Sequence, residues 1–335
     1  MTVSRKENAD AVTTLNPKPK GPQRFVGAPS GQRRRIFTGK DGFTIFLFLL
    51  PALIFVGIFT YYPMINGSQM AFRQWKLTNL TETPWIWFEN FKTVLADANF
   101  ATIAWNTVVW VVVSLIFQFL IGFAVALWLR NKFRFRGLYQ ALIFFPWAIS
   151  GFLIGIMFRW MFNGEFGVVN DLLIRLGLIE KNIAWLSSPD TAMFAIIVAN
   201  IWYGVTFFAI MLLAALQSVP EELYEAAALD GAGKAQTLFS VTIPYISATI
   251  ALTVLLRVIW IFNFPDLIWA MTNGGPANQT HIFTTWMIQT TQKGDYGTAS
   301  AMGLIVVAFL LVFAIFYLMA TTEKTPKSER KEASK

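Results

Sequence analysis

Six long apolar runs limit what this chain can become. They lie at about residues 43–66, 104–129, 138–162, 192–216, 246–271 and 300–320. Each is near the ~20 residues needed to cross a hydrocarbon core of about 30 Å. In lipid every backbone N–H and C=O must be paired within the protein, which leaves helices or closed barrels, and runs of this length are helices. The expected fold is all-α and integral to a membrane, with six transmembrane helices. Composition agrees, since 55% of the 335 residues are hydrophobic and only 14% are charged, against about 25% charged in soluble domains.

Lysine and arginine set the orientation. Nine precede the first run, four are Arg130, Lys132, Arg134 and Arg136, one is Lys234 and five follow the last run. The alternate loops, 67–103, 163–191 and 272–299, hold six: Arg73, Lys76, Lys92, Arg175, Lys181 and Lys293. Basic residues collect on the cytoplasmic side, so both termini and the loop 217–245 are expected there. The chain then divides into a basic tail at 1–42, a six-helix region at 43–321 and a charged tail at 322–335. Low hydrophobicity and net charge favour disorder in the first tail. The net charge of +8 acts in orientation and lipid contact rather than in binding nucleic acid.

Several chemistries are excluded. Cysteine is absent, which removes disulfides, thiolate metal sites and a cysteine nucleophile. The single histidine, His281, leaves little room for imidazole chemistry, and neither H-E-x-x-H nor G-x-S-x-G occurs. Gly233-Lys234 imitates the end of a phosphate-binding loop. Ala235 stands where Ser or Thr is required, however, and Ala228 where the first glycine belongs. No catalytic residue, metal or bound cofactor is expected, and the chain is not expected to bind ATP itself.

The loop 217–245 is polar and long enough for helices of its own. Ser218, Pro220 and Glu221 read as a helix start with a capping box. Leu223, Ala226 and Ala227 then share one face at helical spacing, beside acidic Glu221, Glu222, Glu225 and Asp230. Gly231 and Gly233 read as stops, residues 234–240 as a second short helix, and Pro244 as the lead into the fifth run. Periodicity alone describes a surface hairpin. Glu225-Ala226-Ala227, three residues, Gly231, nine residues, then Val241-Thr242-Ile243-Pro244 resembles the cytoplasmic signature of the membrane subunits of ATP-binding cassette importers. That pattern is Glu-Ala-Ala, three residues, Gly, nine residues, Ile, any residue, Leu-Pro. Val241 and Ile243 are apolar replacements within it.

The resemblance narrows to the carbohydrate-importer permeases and covers roughly residues 50–317. It is carried by Leu50-Pro51-Ala52, Tyr62-Pro63, Asn90-Phe91, Asn106-Thr107, Arg136-Gly137 with Pro146, and Trp160, Gly167, Asn170 and Gly177. Trp185-Leu186, Trp202, Phe264, Asp266, Thr272, Gly274-Gly275-Pro276, Tyr296-Gly297 and Ala299 to Ala301 continue it in order. It implies a bacterial cytoplasmic-membrane protein, paired with a second permease subunit as a heterodimer. It also implies two cytoplasmic ATPase subunits and an extracytoplasmic sugar-binding protein. The cargo would be oligosaccharides, other glycosides or a polyol phosphate. Glu225, Ala226, Ala227, Asp230, Gly231 and Pro244 would belong to the coupling helix that docks on the ATPase.

The fifth run holds the candidate substrate path: Trp260, Asn263, Asp266 and Trp269, with Arg257 and Pro265 among them. A carboxylate at a helix centre costs roughly 2.5–3.5 kcal/mol on insertion scales, so Asp266 should face a cavity or a partner. Pro265 cannot donate to Ile261 and should break the helix. Aromatic faces with amide and carboxylate edges suit a sugar. The alternative is that Asp266 pairs with Arg257 or Arg159 and fixes packing. Gly151 and Gly155 form a G-x-x-x-G, read either as a close helix contact or as ordinary small-residue use. In the first outer loop an amphipathic helix is expected from Asn90 to Phe100, with Phe91, Val94 and Leu95 on one side. The outer loops are too short to capture a ligand alone. A stand-alone ion-coupled secondary transporter is the other reading, but no second copy of the Pro265-Asp266 region is visible.

Overall fold

A computed structural model describes residues 40–322. The tails expected at 1–42 and 322–335 fall almost wholly outside them. The described residues divide into two units, with the boundary between Thr60 and Tyr61. No strand occurs among the described residues, only isolated bridges such as Arg73 to Trp85.

The described part of the first unit is α1 (Lys40–Val56), with Pro51 inside it, followed by a π-helical turn at Gly57–Tyr61. Phe43, Phe48 and Phe55 stand exposed on it, as apolar side chains do on a helix built to meet lipid.

The second unit opens with α2 (Tyr62–Met70) and the short α3 (Glu89–Ala96). The α3 helix ends earlier than expected, and its inward face is Asn90 and Val94 while Leu95 is exposed. Asn90 decides this, because its amide donates to the carbonyls of Ala71 (2.9 Å) and Arg73 (2.8 Å) and ties the helix to the preceding chain. Helix α4 (Phe100–Arg130) follows and packs along α8 (Pro189–Gln217). Between these lie α5 (Arg136–Phe144), a 3₁₀ turn at Phe145–Ala148, α6 (Gly151–Met161) and α7 (Val168–Arg175).

The third apolar run is therefore not the single helix its length suggests. Its halves, Arg136–Ala148 and Gly151–Met161, meet at 99°. Pro146 sits in the 3₁₀ turn, Ile149 and Ser150 are extended, and the Ser150 hydroxyl caps α6 by accepting from the Leu153 amide at 3.3 Å. After α8 come α9 (Glu221–Leu229), α10 (Lys234–Thr237), a π turn at Leu238–Thr242, α11 (Ile243–Tyr245) and α12 (Ser247–Phe262). The segment Lys234–Tyr245 meets α12 at 69°. Last are α13 (Pro265–Met271), α14 (Phe283–Gln292) and α15 (Tyr296–Thr322). Among the described residues four helical stretches are long and apolar enough to cross a membrane, or six if each bent pair counts as one.

The fifth run breaks where its proline demanded. Pro265 becomes the first residue of α13, and Asn263 and Phe264 leave helical geometry. The carbonyls set free are not left bare. The Trp110 indole N–H donates to the Ile261 carbonyl at 2.9 Å, and Thr284 Oγ1 donates to that of Phe262 at 3.4 Å. Protein donors thus replace the water that hydrocarbon excludes. The G-x-x-x-G is a close contact. A Cβ on Gly151 would fall 2.4 Å from the Phe264 ring, and one on Gly155 would fall 2.6 Å from Ala270 Cβ and 2.9 Å from the Leu267 carbonyl.

Candidate functional site: a polar loop and an aromatic cavity

The loop 217–245 contains the helix expected of it, started differently. Ser218 does not cap α9. It ends α8 in a helical conformation, and its hydroxyl donates back to the Ala215 carbonyl at 2.8 Å. Pro220 is the N-cap residue instead, so no capping box forms with Glu221. The end is as expected at Gly231, whose φ is +77°. The Ala232 amide donates to the Ala227 carbonyl (2.9 Å) and the Gly231 amide to that of Ala228 (3.1 Å), the paired bonds of a Schellman stop. Gly233 is no stop, since it is the extended N-cap residue of α10.

One face of α9 is anchored. The Arg130 guanidinium lies 4.1 Å from the centre of the Tyr224 ring, and Thr242 Oγ1 donates to the Tyr224 hydroxyl at 3.2 Å. Ala227 is buried on the same side. Leu223 and Ala226, expected to share that face, are exposed together with Glu225, Asp230, Gly231 and Pro244. Leu229 is 89% exposed. The hinge of the loop and its free side are thus both defined. Tyr224 and Arg130 were missed in the sequence, although a basic side chain at the end of a long apolar run next to a tyrosine-bearing helix is a visible signal.

The candidate path residues separate. Trp260 and Asn263 line a cavity of about 200 Å³ with Trp147, Tyr203, Phe264 and Arg257. Asp266 and Trp269 do not line it. Asp266 is exposed, and it pairs with neither Arg257 nor Arg159 among the described residues. The Asn263 amide donates to the Ile259 carbonyl at 3.1 Å, closing the end of α12. The Tyr203 and Phe264 rings stack at 5.2 Å with 8° between their planes, and Trp260 packs on Phe207 at 5.0 Å.

Behind the cavity runs a buried polar chain. Arg257 Nε donates to Gln118 Oε1 at 2.7 Å, the Gln118 amide to the Asn200 carbonyl at 2.9 Å, and the Asn200 amide to Ser114 Oγ at 2.9 Å. Gly204 makes room for it, because a Cβ there would fall 2.1 Å from Gln118 and 2.3 Å from an Arg257 Nη. Sequence reasoning passed over Gln118 and Asn200. An amide in the middle of an apolar run is itself a signal.

The turn after α13 holds His281. Its Nδ1 lies 3.0 Å from Thr285 Oγ1, its Nε2 lies 3.2 Å from the Gln289 amide nitrogen, and its ring covers Gly274, whose φ is +83°. Burial, with the Lys293 charge as second cause, pushes the imidazolium pKa from 6.5 down to about 4. The folded chain thus keeps His281 neutral where the unfolded chain binds a proton. The stability this contributes is fully present above pH 6.5 and is lost as pH falls toward 4. The expected loss is about 1–2 kcal/mol by pH 5. Melting of the purified chain at pH 7.5 and pH 5.0 checks this. His281→Gln should remove most of the difference, and an equal difference in the variant would refute the assignment.

Comparison with known proteins decides the family. Residues 118–321 match the family described as the inner membrane component of binding-protein-dependent transport systems. The chain belongs to that family. As a transport permease of this kind it is an integral membrane protein, related to other permeases along most of its length. The sulfoquinovosyl glycerol transport system permease protein of Agrobacterium fabrum is 33% identical over 273 residues, 81% of this chain and 88% of the relative. The trehalose/maltose transport system permease protein of Thermococcus litoralis is 31% identical over 273 residues, 82% of this chain and 92% of that one. Among solved structures, a bacterial ABC transporter involved in importing the acidic polysaccharide alginate superposes with a TM-score of 0.75. That chain is 29% identical, and the match covers 86% of this permease and 98% of it.

Proposed function

We propose that this chain is a transmembrane permease subunit of an ATP-driven carbohydrate importer. It forms the translocation path with a second permease and receives work from two cytoplasmic ATPases through the loop 217–245. The observation that carries the coupling role is the two-sidedness of α9, clamped on one side by Arg130 and Tyr224 and open on the other at Glu225, Ala226 and Leu229. A helix held so firmly with apolar and acidic groups left bare suits a docking partner. Ala227 then packs the helix in place, Asp230 and Gly231 set its exit, and Pro244 stands in α11 at the far end of the loop. The chain carries no ATP itself; magnesium and nucleotide belong to the partners.

The names of the relatives support the cargo class, since they share carbohydrate: sulfoquinovosyl glycerol, trehalose and maltose, and alginate. A solved alginate transporter was captured with a pentasaccharide-bound periplasmic protein, and a comparable extracytoplasmic sugar-binding protein would deliver to this permease. In this reading the six apolar runs are six spans in a bacterial inner membrane. The 43–321 region is the permease proper, and the tails at 1–42 and 322–335 are cytoplasmic. Trp260 and Asn263 line the path, while Asp266 and Trp269 would meet cargo or the second permease from outside the cavity.

Tagging the chain at native level, solubilising it gently and identifying what co-purifies tests the proposal. An ATPase, a second permease and a sugar-binding protein are expected. A chain recovered alone that transports in vesicles without ATP, driven by a proton or sodium gradient, would overturn it.

A further inference from the structure

We infer that Arg257 is the anion-selecting group of the aromatic cavity, and that the cargo is a glycoside bearing a carboxylate, sulfonate or phosphate. The inference rests on the carbohydrate-permease reading and narrows its cargo.

Arg257 is 3% exposed, and its one hydrogen bond among the described residues is Nε to Gln118 Oε1 at 2.7 Å. Its Nη groups have no acceptor among those residues. The ion pairs found there are Lys76 with Asp295, Lys92 with Glu89, and Arg175 with Asp171, so Arg257 has no carboxylate. Two rings give partial compensation, with the guanidinium carbon 5.8 Å from the Tyr203 centroid and 5.6 Å from that of Phe207. A buried charge is ordinarily paired as well as hydrogen-bonded, and an ionisable group within a membrane usually faces a cavity or a partner. Here the cavity is present, and Arg257 lines it.

The surroundings say what would sit there. The Gln118, Asn200 and Ser114 chain holds Nε, and Gly204 leaves space for the guanidinium plane. The fork is thus oriented before any ligand arrives, which suits two-point recognition of a planar or tetrahedral anion. Trp147, Tyr203, Trp260 and Phe264 offer ring faces for the C–H side of a sugar, and Asn263 an amide edge for hydroxyls. At about 200 Å³, the cavity is smaller than the ~300–1,000 Å³ of whole small-ligand pockets. It therefore takes one charged residue or end group of a longer glycoside.

The test uses the complete complex, co-purified with its partners and reconstituted in proteoliposomes with ATP. It is offered a mixture of neutral oligosaccharides and oligosaccharides bearing uronate, sulfonate or phosphate groups. Mass spectrometry reads what accumulates inside. Accumulation of charged members is expected, with Arg257→Gln lowering their uptake at least 100-fold. Arg257→Lys, which keeps the charge without the fork, should lower it roughly tenfold. Co-purification with the partner subunits should be unchanged in both variants. Accumulation of neutral members at equal or higher rate overturns the inference while leaving the carbohydrate reading intact, and this readout needs no variant. Unchanged uptake of charged members by Arg257→Gln also overturns it. So does rescue of Arg257→Asp by a carboxylate-to-arginine change in the second permease, since the missing counter-charge would then come from that subunit. Accumulation of no glycoside at all removes the carbohydrate reading itself.

Discussion

Valine at position 231 is expected to abolish ATP-driven uptake while leaving the chain inserted and bound to its sister permease. The cause is conformational rather than steric. Gly231 has φ of +77°, and a Cβ built there meets nothing within 4 Å. A left-handed backbone costs an L-residue roughly 1–2 kcal/mol, and more when the side chain is β-branched. The Ala232 to Ala227 bond that closes α9 would give way first. The helix would then leave at another angle, and Glu225, Ala226 and Leu229 would no longer face a partner together. Gly231→Asn should transport well, because asparagine tolerates this backbone. Glu225→Lys should abolish uptake by a different route. The side chain is exposed, so stability should move by no more than about 0.5 kcal/mol, while the charge on the proposed docking face reverses. Uptake into right-side-out vesicles with ATP trapped inside, measured beside co-purification of the ATPase, separates these outcomes. Normal uptake by both Gly231→Val and Glu225→Lys would end the coupling assignment.

The second large effect is expected at Gly155. Its missing Cβ lets α6 lie against the backbone of α13, where a Cβ would come within 2.9 Å of the Leu267 carbonyl and 3.3 Å of the Leu267 Cα. No rotamer change can relieve a clash with backbone. Gly155→Leu should cost about 3 kcal/mol or more, at the upper end of what overpacking does. At roughly 2–4 °C per kcal/mol for a chain of this size, the melting temperature should fall on the order of 10 °C. Gly151→Ala should be milder, because its neighbour is the outer edge of the Phe264 ring. A melting temperature for Gly155→Leu within a degree or two of the parent would show that α6 and α13 are free to separate.

Much of this was legible in the order of residues, for physical reasons that differ from place to place. The apolar runs located the long helices within a few residues, since lipid solvation acts on every side chain of a span. Pro265 announced its break because the missing donor is a local fact. The 99° corner in the third run was not legible. Pro146 was visible, but the extended pair Ile149 and Ser150 is held open by contacts from elsewhere, including the Phe264 ring against Gly151. Periodicity also placed Leu223, Ala226 and Ala227 together on α9 without saying which neighbour faces inward. In a subunit built to meet others, part of the apolar surface is kept for the partner, so hydrophobicity alone does not point to the protein's own core. The role of Arg257 depended on what Gln118 and Asn200 supply from distant helices, and spacing along one span cannot show that.

The join between α11 and α12 carries a mechanical consequence. A single residue, Ile246, separates Tyr245 from Ser247, and it is buried. There is no slack there to absorb a displacement of the polar loop. Helix α12 is 16 residues long, which at 1.5 Å per residue makes a rod of about 24 Å. Pivoting that rod by about 5° at Ile246 carries its far end through about 2 Å. That far end bears Trp260 and stops at Asn263, so in the proposed coupling Ile246 would be the fulcrum of a lever whose long arm ends at the cavity wall. Softening the fulcrum should uncouple the two ends while leaving each intact.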